Sequence, residues 1–172
     1  MAQTTRNTEP YVESFDTSAA LLAGVTGGVA FLALQLALAP LLGLGVWEPV
    51  RMIAAVLLGP QALAPPATLE VGIALTALVV HFGLSIIYAF ALGMIIRGQS
   101  ALVSTGIGLG FGLLLYGVNF YLFSGLYPWF AEARNWVGIV AHLAYGGVAG
   151  WVYMRATVRA FRKRSGAQES YA

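Results

Sequence analysis

Four long runs of apolar residues constrain this chain more than any other feature of its sequence. They lie at about residues 19–46, 69–96, 101–126 and 135–157. A helix of about 20 apolar residues crosses the roughly 30 Å hydrocarbon core of a bilayer, so each run is long enough to span it. Strands of an outer-membrane barrel would be about 10 residues long and would alternate in polarity, whereas these runs are apolar on every face. The sequence therefore predicts an all-α integral membrane four-helix bundle.

The spans leave little of the 172 residues for a soluble module, and composition agrees, with 59% hydrophobic and 9% charged residues. We predict one transmembrane domain at 19–157, a polar N-terminal segment at 1–18 and a basic C-terminal tail at 158–172. The N-terminal segment lacks the basic stretch and short apolar core of a cleaved signal peptide, so the first span is expected to stay in the protein. Because the chain has no cysteine, disulfides, thiolate metal sites and covalent c-type haem attachment are excluded.

Positive charge is concentrated at one end of the predicted bundle. Five basic residues lie at or after the end of the fourth span, and Arg97 lies between the second and third spans. The five are Arg155, Arg159, Arg162, Lys163 and Arg164. The positive-inside rule places both positions in the cytoplasm, which also makes both termini cytoplasmic and leaves outer loops at about 47–68 and 127–134. The tail is short and has no interleaved aromatic residues, so a nucleic-acid partner is not expected.

A weak internal repeat suggests two duplicated helical hairpins. Shifting the first half by 82 positions superimposes Gly24, Gly28, Gly43 and Trp47 on Gly106, Gly110, Gly125 and Trp129. The two histidines correspond only with a shift of 61, so the first half carries extra residues, which we assign to "RMIAAVLLGPQALAPPATLE". This stretch is too short and too rich in proline to span. We expect a short interfacial helix from Arg51 to Leu58, a proline-rich link and Thr68 as the N-cap of the second span.

Glycines spaced four apart predict close helix contacts, because they expose backbone on one helix face. Such contacts can hold the bundle together or form a seam with a second copy or another subunit. The third span carries Gly108 and Gly112 beside the pair that matches the first span. The predicted packing residues are Gly24, Gly28, Gly106, Gly110, Gly146 and Gly150.

Polar residues inside the spans are few, and none is an aspartate or a glutamate. They are Gln35, His81, Ser85, Tyr88, Asn119, His142 and Tyr145. Ion-coupled transport usually needs an intramembrane carboxylate or broken helices, and apart from a kink at Pro40 the spans read as unbroken. A solitary transporter is therefore disfavoured.

The two histidines, His81 and His142, allow two interpretations. Two imidazoles on different helices of a four-helix bundle are the ligand set of a b-type haem. Alternatively, each ring forms a hydrogen bond across the bundle to a neighbour such as Asn119, Tyr116 or Tyr145. Their unequal depth, and the lack of any further haem signature, favour the polar contacts.

The outer loops hold a rim of aromatic and charged residues. It consists of Trp47, Glu48, Arg51, Trp129, Glu132 and Arg134. Interface anchors and ordinary ion pairs such as Glu48 with Arg51 account for most of it. The two arginines lie on a side where cations are disfavoured, so they are also candidates for holding a lipid head group, an anionic ligand or a partner. No nucleophile with an adjacent base, no metal-ligand spacing and no phosphate-binding glycine loop is present, and we do not expect an enzyme.

A resemblance adds to these residues. The segments "MIAAVLLGP", "NFY", "ARNW" and "AHLAYG", with a histidine in the second span, are similar to those of small four-helix bacterial inner-membrane proteins. The similarity covers residues 20–155, implies a bacterial inner membrane and supplies no catalytic residue. Some relatives carry a sodium:proline symporter label. This chain departs from that label, since such a symporter has about three times as many helices and a sodium site in broken ones.

The features that remain are contact glycines, the outer rim and the basic tail, all of which suit lateral association in the bilayer. The sequence therefore favours a non-enzymatic accessory or assembly subunit of a larger membrane complex, for example a respiratory one. Its partners would be the lipid bilayer and other membrane subunits or further copies of itself. The alternatives are a b-type haem protein that uses His81 and His142, and a small channel or carrier that acts as an oligomer.

Overall fold

The computed structural model describes the backbone of residues 14–169 and the side chains of residues 14–165. Within these residues, five α-helices carry the fold. They are α1 (Thr17–Leu38), α2 (Glu48–Leu58), α3 (Val71–Ile96), α4 (Ala101–Gly117) and α5 (Trp136–Glu169). Short 3-10 turns at Ala39–Leu42, Pro60–Leu63, Phe123–Gly125 and Pro128–Ala131, and a π-helical turn at Val118–Leu122, join or extend them. The predicted all-α bundle is confirmed.

In the part of the chain that the structure describes, four helical stretches are long and apolar enough to cross a membrane. They are Thr17–Leu42, Val71–Ile96, Ala101–Gly125 and Trp136–Ser165. The chain is thus a multi-pass membrane protein whose helices contact the lipid bilayer. The fourth stretch is longer than expected, because α5 continues without a break through the basic residues to Glu169. The predicted limit of the fourth span at 157 therefore falls inside this continuous helix.

Polar residues mark the starts of two spans. The Asp16 carboxylate accepts a hydrogen bond from the Ala19 N–H at 2.9 Å and caps α1. Ser100 caps α4 in the same way, through the Val103 N–H at 3.3 Å. Each side chain satisfies one of the backbone donors that a helix start leaves unpaired. Thr68 does not have its predicted role, because the N-cap position of α3 is Glu70 and its side chain makes no cap bond.

The spans are arranged as two packed pairs around a central contact. Helix α1 packs against α3 and helix α4 against α5, so each predicted hairpin is a packed pair. The pairs are joined by an extensive contact between α1 and α5, whereas α3 and α4 barely touch. The predicted short helix in the first outer loop is present as α2, which packs on α3. This arrangement leaves a gap between α3 and α4.

The closest helix contact is a glycine seam between α4 and α5. Its residues are Gly108 and Gly112 on α4 and Gly146 and Gly150 on α5. A Cβ atom at any of these four positions would overlap a backbone carbonyl of the facing helix. The spans can approach this closely only because the facing positions have no side chain.

The glycine pairs predicted for α1 and α4 have different outcomes. Gly24 packs against α3, where an added Cβ would lie 2.7 Å from Ile86 Cα, and Gly28 faces Ser85. The prediction for Gly106 and Gly110 is wrong inside the bundle, because nothing lies within 4 Å of an added Cβ at either position. Each lies two residues before a glycine of the seam, and two residues correspond to a rotation of about 200° around a helix. They therefore lie on the opposite, exposed face of α4.

Candidate intramembrane binding site

A cavity of about 360 Å³ fills the gap between α3 and α4. Residues of α1 and α5 form its inner wall, and residues of α2 and of the loop before α5 cover one end. Its volume lies within the range of about 300–1,000 Å³ usual for small-molecule sites, and most of its lining is apolar, as in such sites. The gap follows from the packing, since neither α3 nor α4 is close enough to the other to close it.

All the polar residues singled out inside the spans line this one cavity. They are Gln35, His81, Ser85, Tyr88, Asn119, His142 and Tyr145. They come from all four membrane-spanning stretches. Each was visible in the sequence as a costly polar group in an apolar run, but nothing in the sequence indicated that they converge. Polar side chains that converge on an otherwise apolar cavity are the usual pattern of a binding site.

A chain of hydrogen bonds with a fixed direction crosses the cavity wall. His142 Nδ1 lies 2.7 Å from the Gly138 carbonyl oxygen, which can only accept, so Nδ1 carries the hydrogen. In the neutral ring Nε2 is then an acceptor, and it faces the Asn119 amide nitrogen at 3.2 Å. The Asn119 oxygen accepts from the Tyr88 hydroxyl at 3.1 Å. Helices α3 and α5 are thereby linked through the third span.

The second histidine is held separately. His81 Nε2 lies 2.9 Å from the Gly28 carbonyl oxygen, so it donates to α1 and leaves Nδ1 as an acceptor. The Tyr145 hydroxyl donates to the Ser85 carbonyl oxygen at 2.6 Å and joins α5 to α3. The Phe31 ring lies beside both imidazoles, with centroid distances of 5.2 Å to His81 and 4.8 Å to His142.

These contacts favour the polar-contact interpretation of the histidines over haem ligation. A haem held by two histidines takes an unprotonated ring nitrogen from each, usually Nε2. Here His81 Nε2 carries a hydrogen for Gly28, and His142 Nε2 is occupied by Asn119.

The third span has a π-helical turn where it carries Asn119. The span stays helical, but its α-helical hydrogen bonding changes to a π-helical turn at Val118–Leu122. The Arg134 guanidinium stabilises this turn by donating from Nε to the Phe120 carbonyl oxygen at 2.7 Å and lying 4.5 Å from the centre of the Tyr121 ring. Single π turns inside helices occur frequently at functional sites. The sequence has no proline at this turn, and its apolar run continues through it, so nothing in the sequence indicated the π turn.

Arg51 is a buried structural residue and not part of an exposed rim. It is 4% exposed, and its guanidinium donates to three backbone carbonyl oxygens and to the Glu70 carboxylate. The carbonyls belong to Ala62, Thr68 and Ala64, at 2.7, 2.8 and 3.2 Å. The predicted pairing with Glu48 is wrong, since Glu48 instead accepts from the Gly45 N–H at 3.0 Å. Arg51 thus holds the proline-rich link after α2 in place.

The other rim residues also contact their own chain. Trp129 Nε1 donates to the Met52 carbonyl oxygen at 3.2 Å, which joins the second outer loop to α2. Trp47 packs against the small apolar cluster between α2 and α3. Trp47 and Trp129 therefore lie at the same end of the bundle, while Glu132 lines the cavity.

The role of the histidines can be tested by paired substitutions. His142→Leu leaves the Asn119 amide without its acceptor, and we expect a loss of about 1–2 kcal/mol of stability, the scale of an interhelical hydrogen bond in a bilayer. His142→Gln and His81→Gln keep a donor and an acceptor and should cost less. Thermal unfolding in detergent measures both. A Soret band in the purified protein that vanishes in either glutamine variant would contradict this role and support haem binding.

No protein-family model, curated protein or solved structure matches this chain. The cavity and its hydrogen bonds therefore carry the functional interpretation.

Proposed function

We propose that this chain is a non-enzymatic protein of the bacterial inner membrane that binds a small, largely apolar molecule inside its helix bundle. The observation that carries the proposal is the convergence of seven polar side chains from four spans on one apolar cavity. Each polar group in hydrocarbon costs free energy unless it has a partner, and a cavity that collects them offers a bound molecule a few oriented contacts.

The position of the cavity fits a ligand that arrives from the bilayer. Its walls between α3 and α4 include Leu84, which is 39% exposed, and Leu126, which is 72% exposed. Leu84 lies within the second membrane-spanning stretch, and Leu126 directly follows the third. A molecule dissolved in the outer half of the membrane could enter between these helices without crossing water.

The hydrogen bonds support binding over catalysis. Both imidazole rings are bound to backbone carbonyls, and His142 is also bound to an amide. A general base needs its free nitrogen within hydrogen-bond reach of the group that it deprotonates. His142 thus has no free ring nitrogen and orients Asn119, which is a binding role, whereas the free Nδ1 of His81 is an acceptor for a bound molecule.

An accessory role in a larger membrane complex is compatible with ligand binding, and one further observation favours it. The exposed face of α4 carries Gly106 and Gly110, four residues apart, and no atom of the described residues lies within 4 Å of a Cβ added at either position. Exposed glycines at this spacing allow another membrane helix to pack closely. A second subunit or a second copy of the chain would fit this face. If a Gly106→Leu variant no longer co-purifies with that partner, this face of α4 is the contact surface.

Orientation in the membrane follows from the clustering of charge. Arg164 lies 3.4 Å from the Asp16 carboxylate, and the Asp16 N–H donates to the Tyr153 hydroxyl, so the start of α1 and the basic end of α5 lie together. By the positive-inside rule this end is cytoplasmic. Because the chain has no cysteine, a Ser165→Cys variant can be labelled at one site. It should resist an impermeant thiol reagent in intact cells and react after lysis. Labelling in intact cells would show that this end lies outside and that the proposed orientation is wrong.

Filling the cavity should remove the bound molecule. Leu84→Trp adds an indole to the cavity wall, whereas Leu113→Trp makes the same change on a lipid-facing residue of α4 that does not line the cavity. Purification in a gentle detergent, followed by native mass spectrometry, identifies small molecules and chains that remain bound. We expect wild type and Leu113→Trp to carry the same molecule and Leu84→Trp to lack it. If all three carry the same small molecules, or none, the binding proposal fails.

A further inference from the structure

We propose that the ligand of this cavity is an uncharged amphiphile with a hydroxyl head group, of the long-chain alcohol class, whose head contacts Tyr88 and Asn119 and whose tail lies among apolar side chains. This inference rests on the proposed binding function and adds the chemistry of the head group. It follows from which hydrogen-bonding positions the cavity leaves open, and from its charge.

The direction of the hydrogen-bond chain determines what remains open. Tyr88 uses its hydrogen for the Asn119 oxygen, so the hydroxyl oxygen of Tyr88 keeps lone pairs that can accept. Asn119 uses one amide hydrogen for His142 Nε2 and keeps a second that can donate. Tyr88 and Asn119 are bonded to each other and both line the cavity, so an acceptor and a donor are available at the same cluster.

A single hydroxyl group can bond to both the Tyr88 acceptor and the Asn119 donor. Its hydrogen can bond to the Tyr88 oxygen while its own oxygen accepts from Asn119. A ketone or ester head could use only the donor. Gln35, which also lines the cavity, adds an amide that can donate and accept, and His81 Nδ1 adds another acceptor.

The charges around the cavity disfavour an ionic head. Among the described residues that line it, the only charged side chain is Glu132, which would repel an anion. The neighbouring guanidinium of Arg134 is bound to Phe120 and Ser124, and that of Arg51 to Glu70 and the link after α2. A phosphate or carboxylate would therefore enter hydrocarbon without a cation to pair with, at a high desolvation cost. A cationic head could pair only with Glu132, which lies in the loop before α5 and not on the stretches that carry Tyr88 and Asn119.

The experiment compares three probes with the same tail: tetradecanol, tetradecyl sulfate and tetradecyltrimethylammonium. Binding to the purified full chain in nanodiscs is measured by native mass spectrometry. We expect tetradecanol to bind at least about tenfold more tightly than either charged probe, because each charged head lacks a partner. Tighter binding of the sulfate or of the ammonium probe would overturn the hydroxyl assignment.

Variants separate the head-group contact from the cavity itself. Tyr88→Phe keeps the ring and removes the oxygen, and Asn119→Leu removes the amide; each should weaken tetradecanol about tenfold, the value of one hydrogen bond. Thr105→Val is the matched control, since the Thr105 hydroxyl bonds to its own helix and does not line the cavity. Should Asn119→Leu fail to fold, Tyr88→Phe alone decides, and unchanged affinity in it would overturn the assignment.

Leu84→Trp distinguishes failure of the head-group assignment from failure of the binding function. If it abolishes binding of whichever probe binds best, the cavity is the site, even when that probe is charged. If it leaves all probes unaffected, or if no probe binds wild type, the cavity is not a binding site for such molecules and both proposals fall.

Discussion

Gly146→Ala is expected to destabilise the bundle severely, although it adds a single methyl group. The new Cβ would overlap the Gly108 carbonyl, and a backbone carbonyl cannot rotate away as a side chain does. Relief requires α4 and α5 to separate along the whole seam. Overpacking usually costs about 1–3 kcal/mol, and we expect this variant at the upper end of that range or above it.

Gly110→Ala is the matched control, because it adds the same methyl group to a face of α4 with no neighbour within 4 Å. It should leave stability unchanged or raise it slightly, since alanine favours helix over glycine by up to about 1 kcal/mol. Thermal unfolding of the purified chain in detergent compares the two variants. Equal destabilisation by both would show that the α4–α5 contact does not have the described geometry.

Arg51→Gln should be the second strongly destabilising variant, with a loss of about 3 kcal/mol or more. It leaves backbone carbonyls of the link after α2 without their donor, and each hydrogen bond to a charged group is worth about 1.5–3 kcal/mol. The contact with Glu70 contributes less, because that carboxylate is 56% exposed and well hydrated. Urea or heat unfolding in detergent measures the loss.

Two further variants test this explanation of Arg51. Arg51→Lys keeps the charge but lacks the forked guanidinium, so it cannot reach all these acceptors and should recover only part of the stability. Arg134→Gln removes fewer bonds from an exposed side chain and should cost about 1 kcal/mol. If Arg51→Gln folds as stably as wild type and only loses partners in the membrane, Arg51 is an association residue, as the rim hypothesis held.

The membrane architecture could be predicted from the sequence because it depends on local properties. The length and polarity of each apolar run decide whether it can span, and those quantities are summed along the chain without reference to other helices. For the same reason the short helix α2 was predictable, since proline and a length too short to span are local signals. The third span was less predictable near Asn119, where the π turn accepts a hydrogen bond from Arg134, a residue 14 positions after Phe120.

The candidate site was predictable only as a set of residues. A polar side chain in an apolar run is conspicuous whatever its surroundings, so His81, His142 and Asn119 were found at once. Their partners were not determined, because a hydrogen bond between spans depends on how the helices are rotated and how deep each one lies. Asn119 was one of three candidate partners for His142, and the structure selects it.

The sequence by itself determined the number, length and apolar character of the spans, the cluster of positive charge at one end and the identity of the polar residues, because each is a property of a segment taken alone. Only the tertiary structure decided which glycines meet, that Arg51 turns inward, and that seven polar side chains surround one cavity between α3 and α4. These depend on the rotation of each helix about its own axis, where a shift of two residues moves a position by about 200° from a contact face to an exposed one.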